Sequence, residues 1–188
     1  MGCRAVDAGI LIAATALTRF AFRSHYLYDL DSVNFALALR RFDPSVHQPH
    51  PPGYFLYVYL GRVANLIFHD ANAALVAISI VFSCGAAVMI YVLADNWFGR
   101  NAASFAGLIF VFSPLAWFHG TVALTYIVEA FFSALAGYLC WRVYCGAARF
   151  ILPGAIQTHV NTVLRRSTEE SARALRNGSI AAQPKQRK

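Results

Sequence analysis

Residues 28–59 read YDLDSVNFALALRRFDPSVHQPHPPGYFLYVY, and the rest of the chain is organised around them. Polar and ionisable groups are concentrated here between two apolar segments. The stretch opens on two acids one residue apart, Asp29 and Asp31, and closes on His47-Gln48-Pro49-His50-Pro51-Pro52-Gly53-Tyr54 at the mouth of the next hydrophobic run. Asp31 and Ser32 stand where a helix N-cap is expected. Val33, Phe35, Ala36, Leu37 and Leu39 follow as apolar content, and Arg40 and Arg41 close the segment where cations suit the helix dipole. The expectation is a short amphipathic helix lying in a membrane interface, with Phe35, Leu39 and Phe42 dipping into lipid. Asp31 then has a capping duty, whereas Asp29 sits outside the helix with no local structural duty. A carboxylate placed so can act as a general base toward a hydroxyl once burial and neighbours tune it; a solvated loop acid is the plainer alternative.

Pro49 breaks the helical spacing that would set His47 and His50 on one face, and no third ligand is evident, which speaks against zinc. A histidine beside acids at a membrane surface suits other tasks, holding an anionic phosphate or relaying a proton. Pro51 and Pro52 impose an extended entry to the following helix and Gly53 permits close backbone approach, so the proline pair positions His50.

Composition supplies the setting. The chain is 58% hydrophobic and 13% charged, with mean hydropathy +0.49, a balance that excludes an ordinary soluble domain and points to several membrane spans. The net charge of +7 is concentrated near the end, in Arg165, Arg166, Arg173, Arg176, Lys185, Arg187 and Lys188. A basic tail beside a membrane indicates cytoplasmic placement, and with no nucleic-acid fold signature the charge does not imply nucleic acid as a partner. Cys3, Cys84, Cys140 and Cys145 form no CxxC pair and read as packing thiols.

The first apolar run, Val6 to Phe22, is ~17 residues and just long enough to span. Arg4 precedes it, Asp7 falls at its interfacial start, and Arg19 and Arg23 stand at its far end, where long side chains can snorkel. A cleaved signal peptide is the alternative, but the runs downstream favour an anchor. Those runs are Tyr54 to Phe68, Ala71 to Leu93, Ala102 to Phe118 and Thr121 to Trp141. Asp95 to Arg100 reads as a loop with an interfacial Trp97, and His119-Gly120 divides the last two runs.

The expected architecture is therefore all-α: a polytopic transmembrane helix bundle of four to five hydrophobic segments over residues 1–143, with an external loop at 23–53. A polar basic tail, weakly helical to disordered, fills 144–188. If both ends are cytoplasmic the number of crossings is even, so one segment fails to span; the 54–68 and 102–118 runs are the candidates. Two ionisable residues inside apolar runs stand out. Arg62 costs on the order of 2.5–3.5 kcal/mol on insertion scales unless it finds a partner, and a donor phosphate, snorkelling and a structural ion pair are its alternatives. Glu129 is either a site acid or a buried packing group bonded to Tyr126 or Arg62.

The hydrophobic first span, the Asp29-x-Asp31 pair in the first external loop, the amphipathic stretch and PHPPGY at 49–54 together resemble the GT-C glycosyltransferase superfamily. The most similar branch holds protein O-mannosyltransferases, lipid A aminoarabinose transferases and bacterial relatives with an HPPGY-type loop. The resemblance covers roughly Val6 to Trp141. It implies a transmembrane bundle in a membrane such as the bacterial inner membrane, and a polyprenyl-phosphate-linked sugar donor. It also implies inverting transfer to a hydroxyl of a protein, lipid or glycan acceptor. By similarity Asp29 is the catalytic base, Asp31 the second acid, and His50 fills the slot before the double proline. His50, His47 and Arg62 are the expected contacts to the donor phosphate. Glu129, which follows Ser113-Pro114 and Gly120 as in similar transferases, is the expected third site acid. No cofactor is required, although the acid pair leaves a divalent cation open. Related transferases run much longer, so the chain is expected to be the N-terminal part of one. The alternative is a non-catalytic membrane protein, a remnant or a subunit. No internal repeat, P-loop or Rossmann fingerprint suggests another enzyme class.

Overall fold

The computed structural model describes residues 2–151 together with Thr162, Arg166, Glu169 and Arg173. Among the described residues it is all-helical: α1 (Gly2–Ala21), α2 (Leu30–Arg40), α3 (Phe55–Phe68), α4 (Ala71–Phe98), α5 (Arg100–Phe112), α6 (Pro114–His119) and α7 (Tyr126–Ile151), with a single 3-10 turn at Pro44–Val46. The chain divides into two compact units, Met1–Leu139 and Cys140–Lys188. In the second unit the continuous described part is the end of α7, where Trp141 and Tyr144 stack at 5.9 Å. The helix thus continues into the first residues of the polar tail expected at 144–188, and the rest of that tail falls almost wholly outside the described residues.

Contacts fix the directions of the helices in the first unit. Arg4 pairs with Asp95 at 3.0 Å, while Asn72 donates to the Ser24 carbonyl at 3.0 Å, so α1 and α4 are antiparallel. Arg100 grips Asp7 with two hydrogen bonds of 2.6 and 2.8 Å, and Gly107 packs on Leu11, so α5 runs parallel to α1. Phe82 meets Phe131 and Leu93 meets Gly137, so α7 follows α4 downward. The first half of α4 is flanked by α3, which doubles back through His69-Asp70: at Gly61 a methyl group would lie 2.6 Å from Leu39 and 2.9 Å from Leu75. A larger residue there would have to displace both leucine side chains. α4 is the one helix among the described residues both long and apolar enough to cross a bilayer.

Several local expectations are corrected by tertiary contacts. Asp29, not Asp31, is the N-cap of α2, accepting from the Leu30 amide at 2.6 Å. Both aspartates are competent caps. The earlier start leaves Ser32 buried and bonded to the Ala123 carbonyl. Phe35 and Leu39 do share a face, but they pack inside the protein with Tyr57, Val58 and Leu75 rather than in lipid. Asp7 is held by Arg100 and by the Tyr91 hydroxyl. Asp95 to Phe98 is helical and ends α4, and Gly99, at φ 84°, makes the break. The second break falls at Ser113-Pro114.

Arg19 does not snorkel. It is fully buried, donating through Nη2 to the Val111 carbonyl at 2.7 Å and lying over the Trp117 ring at 4.9 Å. The last four carbonyls of a helix lack intrahelical donors, and Val111 is one of those at the end of α5. Pro114 forces that end, and the guanidinium supplies the missing donor.

Candidate functional site

The site is built on backbone that helices do not satisfy. Between α6 and α7, Thr121 to Thr125 is buried throughout. Buried carbonyls need donors. Three successive ones receive them from three parts of the fold: Thr121 from the Ser24 amide (2.8 Å), Val122 from the Ser79 hydroxyl (2.8 Å) and Ala123 from the Ser32 hydroxyl (2.9 Å). This clamp joins the exit of α1, the middle of α4 and the start of α2 to the start of α7. It sets Asp31 and Glu129 relative to one another.

Asp31 lies in the first turn of α2, where the positive end of the helix dipole favours a carboxylate. His50 Nδ1 stands 3.4 Å from Asp31 Oδ1. The imidazole is held by aromatic neighbours, with Phe35 at 5.8 Å and Tyr54 at 5.1 Å between ring centroids. Tyr54 adopts a left-handed backbone at φ 41°, uncommon for a residue with a side chain, and its ring packs edge-on against Phe35. Its hydroxyl is pushed above the usual tyrosine range, first by burial and then by the negative charges of Glu129 and Asp31. Glu129 sits on the first turn of α7, exposed, accepting from the Thr125 hydroxyl at 3.0 Å. Neither Tyr126 nor Arg62 is that partner. His50 thus touches both Asp31 and Tyr54, and Glu129 joins this group through the effect of its charge at the Tyr54 hydroxyl.

The remaining expected site residues are placed differently. Asp29 is exposed one position before α2, with Oδ1 engaged by its cap bond. His47 is exposed in the 43–48 turn, at φ 58°, and closes the 3-10 turn by donating its amide to the Pro44 carbonyl. Asp43 anchors the same turn; the Ser45 hydroxyl above all, then the Ser45 amide and Arg41, outweigh burial and hold its carboxyl below the usual range. Arg62 donates from Nε to the Leu39 carbonyl and from Nη2 to the Ala38 carbonyl, both at 3.0 Å. It thereby satisfies carbonyls at the C-terminal end of α2. Among the described residues no group of three or more His, Cys, Asp or Glu side chains is placed to hold a metal ion. Ser32, expected at a helix N-cap, instead lies inside α2 and serves the Ala123 carbonyl, while Tyr54, Ser79 and Thr125 carry no role in the sequence reading, Ser79 because it lies in the most apolar helix.

Residues 44–153 match a family model described as the protein O-mannosyl-transferase TMEM260 N-terminal domain, more than half of the chain. The chain belongs to this family. The matched stretch contains His47, His50, Tyr54, Arg62 and Glu129 and begins after Asp29 and Asp31. No curated protein and no solved structure matched the chain. Membership in the TMEM260 N-terminal family identifies a mannosyltransferase-type glycosyltransferase domain.

Proposed function

We propose that this chain is the N-terminal part of a membrane glycosyltransferase that passes a mannose-type sugar from a polyprenyl-phosphate carrier to a hydroxyl of an acceptor protein, with inversion. The observation that carries the reading is the Asp31–His50 pair beside Tyr54 and Glu129, in a family described as protein O-mannosyl-transferase. Asp29 is the general base: its cap bond occupies one carboxylate oxygen, leaving the other to accept a proton from the acceptor. The Asp31–His50 pair orients the phosphate leaving group, the imidazole supplying positive charge when protonated, and Glu129 lines the same side. His47 and Arg62 stand further from the chemistry, on the turn and at the end of α2.

Helix direction supports a membrane arrangement. α1, α4, α5 with α6, and α7 run alternately, whereas α3 returns along α4 without reaching its far end. In this arrangement four segments cross, α2 and α3 lie with the site at one surface, and the first loop is external. Charges inside the crossings are met internally: Arg4 by Asp95, Asp7 by Arg100 and Arg19 by a carbonyl. The exposed apolar side chains of α1 and α5, among them Ile10, Leu17, Phe105 and Ile109, suit a lipid contact.

The test is transfer from polyprenyl-phosphate-linked mannose to an acceptor peptide by the chain reconstituted in vesicles. Asp29→Asn is expected to lower transfer by about 10²- to 10⁴-fold, the usual worth of a general base, with insertion unchanged. Parent-like transfer by Asp29→Asn refutes the base assignment. Absence of transfer by the parent chain favours a non-catalytic membrane protein.

A further inference from the structure

A second site lies on the other face of α4. Where α1, α3 and α4 meet there is a cavity of about 440 Å³, in the range of small-molecule pockets. Its polar and apolar linings are segregated along the helix axis. The floor is Val76, Ala77 and Ile80 on one face of α4, with Phe68 as a side wall and Phe20 and Val81 towards the mouth. Every ionisable group stands at one rim: Arg23 and His25 after α1, and Asp70 before α4. Asp70 is committed to the Ala73 amide, 2.7 Å from its Oδ1, as the cap of α4. Arg23 is fixed at the rim by a 2.9 Å bond to the Phe20 carbonyl and by the Phe20 ring, 4.2 Å below its guanidinium. From the first turn of α4 to Val81 the floor descends ~15 Å at 1.5 Å per residue. The mouth is bordered by exposed apolar groups, Phe20 at 59% and Val81 at 66%.

A rim that offers the Arg23 and His25 donors, its one carboxylate engaged in a helix cap, over a long apolar floor is the outline of an amphiphile with an anionic head. We propose that the cavity binds one membrane phospholipid, its acyl chain along α4 and its phosphate against Arg23 and His25. The cavity shares no lining residue with the Asp31, His50, Tyr54 and Glu129 neighbourhood, so this lipid is a bound structural lipid rather than the sugar donor. Its role is to brace the exit of α1, whose Ser24 amide holds one carbonyl of the clamp behind the site.

The experiment is native mass spectrometry of the full chain in detergent, titrated with phosphatidylglycerol, phosphatidylcholine or a polyprenyl phosphate. The parent is expected to retain one phosphatidylglycerol at least tenfold more tightly than phosphatidylcholine. Ala77→Trp, which fills the floor, abolishes retention of both, and Arg23→Gln erases the headgroup preference while leaving the acyl contribution. If Ala77→Trp does not fold, Val81→Trp at the mouth replaces it, since that side chain is already exposed. Unchanged retention in the filled variant, or an unchanged preference in Arg23→Gln, overturns the proposal. Displacement of phosphatidylglycerol by equimolar polyprenyl phosphate overturns it too, and reassigns the cavity to the donor chain. None of these variants alters a proposed catalytic group, so the outcome is separable from that of the transfer assay.

Discussion

Replacing Ser32 by alanine tests whether the 121–125 segment is held by its clamp. The Ser32 hydroxyl and the Ala123 residue are both buried, and among the described residues the Ala123 carbonyl receives no other hydrogen bond. Removing the hydroxyl leaves a buried acceptor without a donor, which costs about 1–3 kcal/mol. Ser79→Ala makes the contrast. The Val122 carbonyl that Ser79 serves also accepts from the Leu124 amide at 3.0 Å, so it keeps one donor. The loss there is a net hydrogen bond, about 0.5–1.5 kcal/mol. For a chain of this size 1 kcal/mol corresponds to roughly 2–4 °C in Tm, so Ser32→Ala is expected to lower it by about 2–12 °C and Ser79→Ala by about 1–6 °C. The assay is thermal unfolding in detergent followed by helical circular dichroism, with amide exchange at Leu124 and Thr125 as the local readout. Faster exchange there with Ser32→Ala, and less with Ser79→Ala, is the expected order. Equal or inverted effects refute the reasoning, because they mean the carbonyl pairing does not carry the segment.

Arg62→Met keeps the length of the side chain but removes two charge-assisted hydrogen bonds from the end of α2; faster amide exchange at Arg40 and Arg41 is expected, with donor binding altered less than by His50→Ala. The Asp43 carboxyl titrates below its ordinary 3.8 when folded, so its contribution to the 43–48 turn is complete above that value and disappears as pH falls through the lower folded one. Asp43→Asn should flatten the acid dependence of exchange at Ser45 and Gln48, and an unchanged profile would assign it to another group. Single cysteines at Phe55 and Phe68 in a chain freed of native cysteines should both label from the same side of a vesicle; labelling from opposite sides would show that α3 crosses.

Much of the fold was legible because periodicity and punctuation agree. The boundary between Phe68 and Ala71 follows from His69-Asp70, since an aspartate before an apolar run caps the helix it begins, and Asp70 does so. The motif at 49–54 was legible as the place where His50 meets the acids, because the prolines and Gly53 exclude a continuous helix. What the sequence did not show depends on partners distant in the chain. The choice between Asp29 and Asp31 as cap is settled by the Ser32 bond to a carbonyl 91 positions away. Arg19 ends an apolar run just as an interfacial arginine does, and only the Val111 carbonyl, 92 positions on, distinguishes burial from snorkelling. Phe35 and Leu39 share a face of α2 as their spacing implies, but no pattern within eleven residues states whether lipid or protein covers them.

The parity problem and the cost of Arg62 have a common solution in α3. A guanidinium at the centre of a crossing helix would require an internal partner, and α2, which supplies the Ala38 and Leu39 carbonyls, could reach it only by entering the bilayer as well. With α2 and α3 together at the surface, the arginine is a bridge between two surface helices and its charge remains near water. In the proposed arrangement the crossings would number four, an even count. On the proposed function, the same placement would put His50, ahead of α3, and Asp31, in the first turn of α2, where a lipid-borne phosphate and a water-borne acceptor could meet. A crossing α3 would still begin at the surface that holds His50, so the labelling of Phe55 and Phe68 decides the topology and leaves the position of His50 unchanged.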